Sequence, residues 1–234
     1  MGTSVKIRFL HHSTGEVIWA GGVPGWFDTY NAANSTQYNI TDVNYPDAPY
    51  PWQNYPYDYW HLWSDDQAAA EQVPTLESMV AEYDVIVFKH CFPVSGIGPD
   101  TGSPDITSQD KTIENYKLQY AAIKDTLYTF PNTRFIVWTG AAQREADSSA
   151  DQGQRSRDFF TWVKNEWDVK GDNIFVWDFF ELETEGGNFL LDQYSSGTDS
   201  HPGTAFAATV APYFAQRVVD VIQGRGDSGS LTGH

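Results

Sequence analysis

Ser13, Asp199 and His201 are the residues of this chain best suited by type and spacing to covalent chemistry. Ser13 stands in Phe9-Leu10-His11-His12-Ser13-Thr14-Gly15-Glu16, at the end of an apolar run and two residues before a glycine that permits a sharp bend. Asp199 and His201 stand near the other end of the chain, in Ser196-Gly197-Thr198-Asp199-Ser200-His201-Pro202-Gly203. A carboxylate close to an imidazole can accept from one ring nitrogen, fix the tautomer and leave the second nitrogen to take a hydroxyl proton. Each piece also has a plainer reading. Ser13-Thr14-Gly15-Glu16 fits a capping box at a helix start, and an isolated Asp-x-His is commonly a turn.

What joins the two ends is the order of elements between them. Short apolar runs rich in β-branched residues occur at 5–10, 85–88, 134–138 and 174–177, with a weaker fifth at 37–43. Most are continuously apolar, as parallel strands covered on both faces must be. Helical spacing fills the gaps: 108–128, with Ile113, Tyr116, Tyr120, Ile123 and Leu127 on one stripe, 74–82, 155–167, and a last helix over 204–222. Pro212 inside that last pattern predicts a kink or a split. Alternating strands and helices give an α/β fold whose reactive groups gather at the carboxyl ends of the strands, where Ser13 falls.

With 234 residues the chain fits one domain, 1–223, and the Gly- and Ser-rich 224–234 reads as a flexible tail. Lys and Arg number 14 against 31 Asp and Glu, so the net charge of −17 repels nucleic acid and anionic lipid. No run has the length a membrane span requires. The single cysteine, Cys91, excludes an intrachain disulfide. Met1-Gly2-Thr3-Ser4 lacks the basic and apolar parts of a signal peptide, and a secreted or periplasmic setting is slightly favoured if a leader has been removed. Oligomeric state is not legible, and the partner expected is a small-molecule or glycan substrate.

Other residues could serve the same site. The segment 44–63 carries four prolines and a dense set of aromatics, among them Trp52 and Trp60, which suit either a platform for sugar rings or a local hydrophobic cluster. Gly140 and Arg144 follow the strand at 134–138, and the Arg144 fork matches a substrate carboxylate. His11, His12, His90 and His201, with Asp199 or Asp178, admit a metal site as an alternative, although adjacent histidines on a strand point to opposite faces.

The serine after the first strand and the Asp-x-His-Pro before the last helix resemble the SGNH, or GDSL-type, hydrolase superfamily. The resemblance spans nearly the whole chain in element order but only the two ends in residues. It implies a flavodoxin-like three-layer α/β/α fold, hydrolysis of esters on acylated carbohydrates or lipids, and no cofactor. Ser13 then carries over as nucleophile, His201 as general base and acid, and Asp199 as orienter. The sequence departs from the family at four places: His11 and His12 precede the serine, no glycine occurs between Gly25 and Gly96, Phe88-Lys89-His90-Cys91-Phe92-Pro93 stands where Gly-x-Asn-Asp is usual, and Asp199 stands two places before His201 where the family has three. His12, Lys89 and His90 are therefore candidates for oxyanion or substrate binding. The rival expectation is a carbohydrate-binding protein that keeps the fold without turnover.

Overall fold

Alternate residues of the central strands feed two different cores, and this divides the molecule into three layers. Strand β1 (Ser4–His11) sends Val5, Ile7 and Phe9 to one side and Leu10 to the other. In β3 (Val85–Phe88), Val85 and Val87 face the first side while Ile86 and Phe88 face the second. Strands β4 (Arg134–Trp138) and β5 (Ile174–Trp177) follow the same rule, with Trp138 and Trp177 on the first side and Val137 and Val176 on the second. Strands β3, β4 and β5 carry no extended polar face, which is why their sequences read as apolar runs, whereas β1 alternates at first through exposed Lys6 and half-buried Arg8.

This computed structural model describes residues 4–234; Met1, Gly2 and Thr3, the start of the stretch read for signal-peptide features, lie outside the described residues. The sheet is parallel throughout, in the order β2-β1-β3-β4-β5, with β2 (Gln37–Asn44) at one edge. The expected flavodoxin-like arrangement is thus observed. The order reverses between β1 and β3, and a crevice at their carboxyl ends is where such sheets bind ligands.

On one face lie α1 (Thr14–Ala20), α2 (Val23–Asn34) and α8 (Thr204–Ile222), whose Phe206, Val210, Phe214 and Val218 are buried. On the other lie α3 (Pro56–Tyr59), α5 (Ile113–Tyr128) and α6 (Ala150–Trp162), with α4 (Leu76–Val80) leading into β3 and α7 (Phe179–Thr184) following β5. Helix α5 starts later than its apolar pattern, because the Thr112 hydroxyl accepts from the Asn115 N–H and caps it. No helix among the described residues is long and apolar enough to cross a membrane.

Two expectations need correction. Pro212 neither splits nor ends α8, which is continuous over 204–222. The carbonyl that loses its partner there belongs to Ala208, an exposed position open to water, while the buried stripe on either side holds the helix to the sheet. The 224–234 segment, expected as a flexible tail, packs back on the domain. Its Leu231 carbonyl accepts from the Asp178 N–H at 2.8 Å, its Thr232 carbonyl from Trp177 Nε1 at 2.9 Å, and its Gly226 carbonyl from the buried Arg217 at 2.7 Å. Backbone acceptors hold this segment, and composition carries no record of them.

Candidate active site

Ser13 sits in the two-residue link between β1 and α1, with φ +27° and ψ −81°. That conformation is rare for a residue with a Cβ and costs on the order of 1–3 kcal/mol, so the surrounding structure must enforce it. The enforcement comes from Gly15: its N–H bonds the His12 carbonyl at 2.8 Å, and a Cβ there would lie 2.4 Å from His11 Cβ. The Ser13 hydroxyl makes no capping bond to α1. It lies instead 2.9 Å from His201 Nε2, across 188 positions of sequence.

His201 is carried by the loop that leads into α8. Its Nδ1 lies 2.8 Å from Asp199 Oδ1, and the same oxygen accepts the His201 backbone N–H at 3.0 Å. With Nδ1 donating to the carboxylate, Nε2 presents a lone pair to the Ser13 hydroxyl. The His201 backbone N–H foremost holds the Asp199 carboxyl below its ordinary range, against the opposing effect of burial and with help from the His201 ring. The Phe92 ring packs edge-on against the imidazole at 4.9 Å. An open cleft of about 590 Å³ beside the pair is lined by Val17, Ser196, Asp199, His201 and Thr204.

The loop is fixed from behind by Arg144. Its guanidinium pairs with both Asp147 oxygens, at 2.8 and 3.0 Å, and donates to the carbonyls of Gly197 and Thr198, each at 3.2 Å. The buried Ser200 hydroxyl donates to Asp147 at 2.7 Å and accepts the Arg144 N–H at 3.0 Å. Arg144 is therefore engaged with the loop that carries Asp199 and His201, and its fork is not open to a substrate carboxylate.

The remaining candidates divide cleanly. His12 follows β1 directly; its Nε2 bonds the Pro46 carbonyl, and its ring stacks on Trp52 with centroids 3.5 Å apart. Trp52 is half-buried. Lys89 is fully buried, its Nζ donating to the His12 carbonyl at 2.9 Å and to Cys91 Sγ at 3.0 Å. His90 is turned away from Ser13, into the core, where its Nε2 lies 2.8 Å from the Tyr120 hydroxyl. Gly140, with φ +84°, turns the chain after β4 against the Phe180 ring. Trp60 is buried, and most of the 44–63 aromatics are core: Tyr45, Tyr50, Tyr55, Tyr59 and Trp63 are closed to solvent with it.

The four histidines do not form a metal cage. His11 Nε2 bonds Asp42, and His12, His90 and His201 are each directed to the separate partners above, while Asp178 pairs with Lys164 at 2.7 Å. Among the described residues no group of three His, Cys, Asp or Glu side chains is placed to hold an ion.

One neighbour of Ser13 that the sequence does not single out is Cys91, whose Sγ lies 3.4 Å from Ser13 Oγ. Its signal was positional. It stands three residues beyond β3, which lies next to β1 in the sheet, and so falls near the crevice that holds Ser13.

No protein-family model and no curated protein matches this sequence. Among solved structures, an acetyl xylan esterase superposes with a TM-score of 0.52 at 14% identity, covering 94% of this chain and 98% of that one. The chain has the fold of that esterase. A gut microbial diltiazem-metabolizing enzyme superposes with a TM-score of 0.50 at 11% identity, covering 89% of this chain and 46% of that one, so the chain spans about half of its length. Both likenesses agree with the SGNH-type resemblance of the two sequence ends, and at these identities they concern the fold.

Proposed function

We propose that the protein is an ester hydrolase in which Ser13 is the nucleophile, His201 the general base and Asp199 the residue that orients the imidazole. The observation that carries this reading is the unbroken chain from Ser13 Oγ through the His201 ring to Asp199 Oδ1, with links of 2.9 and 2.8 Å. In the first half of the reaction Ser13 Oγ bonds to the acyl carbon, its proton passes to His201 Nε2, and the alcohol leaves with that proton. In the second half a water gives its proton to Nε2, attacks the acyl-Ser13 ester and releases the acid, and His201 returns the proton to Ser13. Asp199 keeps its charge throughout and stabilises the imidazolium.

An acylated carbohydrate is the substrate class that fits the surroundings best. Trp52 is half-buried and stacks on His12, the residue before Ser13, an acidic surface suits a neutral glycan, and the fold is shared with an acetyl xylan esterase. The test is acetate release from acetylated xylo-oligosaccharides and from an aryl acetate. Both should be hydrolysed. Trp52→Ala should raise KM for the oligosaccharide about tenfold, the worth of one ring contact, and leave kcat for the aryl acetate within about threefold. Glycan binding without ester turnover across a panel of acyl groups would refute the enzymatic reading in favour of a binding protein.

A further inference from the structure

We propose that Cys91 is a catalytic residue whose thiol donates a hydrogen bond to the oxyanion formed at Ser13, with Lys89 as the positioning residue that polarises it. The proposal rests on Ser13 being the nucleophile. When Ser13 Oγ attacks, the carbonyl oxygen takes up the negative charge, and two well-aimed donors are ordinarily needed to hold it. The side-chain atoms in reach of Ser13 Oγ are His201 Nε2 at 2.9 Å and Cys91 Sγ at 3.4 Å. His201 is occupied with the proton in flight, which leaves the sulfur as the side-chain donor beside the Ser13 backbone N–H.

Three observations support a working thiol over a passive one. The first is rigidity: the Cys91 N–H bonds the Asn54 carbonyl at 3.2 Å and its carbonyl accepts the Val94 N–H at 2.9 Å, so the residue is pinned on both sides. Preorganised donors are what make such stabilisation large.

The second is the charge behind it. Lys89 Nζ, 3.0 Å from Sγ, is fully buried and makes no ion pair among the described residues. The carboxyl whose charge would bear on it, Glu183, is fully buried and raised well above the usual carboxylate range by that burial, and burial also lowers Lys89 from its own ordinary value. An interior ammonium without a standing counter-ion is costly, and an anion that arises in each turnover gives it a partner.

The third is acidity. Burial pushes the Cys91 thiol up, but the Lys89 charge foremost, with the hydrogen bonds from Lys89 and the Thr14 backbone, outweighs it and brings the thiol below its ordinary value. A more acidic thiol is a better donor to a developing oxyanion.

The experiment compares wild type, Ser13→Ala, Cys91→Ala and Cys91→Ser on an aryl acetate, with affinity for phenylboronic acid as a mimic of the tetrahedral state. Cys91→Ala should lower kcat about a hundredfold, the usual cost of one donor, with KM within about threefold, and should weaken boronate binding in the same proportion. Cys91→Ser, which keeps a donor, should restore kcat to within about tenfold of wild type. The role of Cys91 is overturned if Cys91→Ala turns over as fast as wild type or faster, the latter showing a sulfur anion that opposes the charge. It is also overturned if alanine and serine are equally slow. Unchanged turnover by Ser13→Ala overturns the nucleophile assignment itself, which the cysteine variants cannot mimic.

Discussion

Ser13→Ala should abolish ester turnover by about a thousandfold or more in kcat, because triad members act as a unit and loss of the nucleophile removes the covalent route. The same change should leave stability nearly intact. Had the hydroxyl capped α1, alanine would cost about 1 kcal/mol, but the cap bond is not made and the hydroxyl faces His201 and Cys91. Alanine also keeps the Cβ, so it inherits the φ of +27° without new strain. Ser13→Gly extends the point. Freed of the Cβ, that variant should melt no lower than wild type, and up to about 1 kcal/mol more stable, while equally inactive. An inactive protein that is as stable as its parent marks a residue kept for chemistry at the expense of the fold. Thermal melts beside aryl acetate kinetics check both halves.

Removing residues 224–234 should do the reverse and strike stability first. Three interior donors lose an acceptor: the Nη1 of Arg217, whose Nε keeps the Val176 carbonyl, the Trp177 indole N–H and the Asp178 backbone N–H. Trp177 and Arg217 are fully buried. Each orphaned buried donor costs about 1–3 kcal/mol, against a total stability of about 5–15 kcal/mol for a domain. Gly226 also covers the Phe175 ring, with room for no Cβ, so truncation opens the edge of the core beside β5. The shortened chain is expected to be largely unfolded at 37 °C, or to melt at least about 10 °C below the parent by circular dichroism. A truncated protein with unchanged melting would show that these bonds are replaced by water at no cost.

The central strands β3, β4 and β5 were legible because a parallel sheet buried on both faces writes itself as short apolar runs. The partly exposed β1 and β2 were legible from their β-branched and apolar alternation, and the five expected segments match β1 to β5 within a residue or two. The site was legible at its two ends for a related reason: a serine at the end of β1 and a histidine just before α8 are placed by topology, whatever lies between them. What the sequence hid was contact that periodicity does not encode. The aromatics at 44–63 read equally as platform or core, and burial decides for core in all but a few, with Trp52 left partly open. Arg144 looked available until its partners, the Gly197 and Thr198 carbonyls, were seen some fifty positions away. A lone cysteine signals only the absence of a disulfide; its place next to Ser13 follows from β3 lying beside β1 in the sheet.

The most direct measurement is peptide mapping by mass spectrometry after exposure to a fluorophosphonate, run on wild type and on His201→Gln. Activation of Ser13 by His201 predicts a single phosphonyl adduct on the peptide containing Ser13, formed at least about a hundredfold more slowly in the variant. An adduct on another residue, none at all, or one that forms as fast without the imidazole would contradict it.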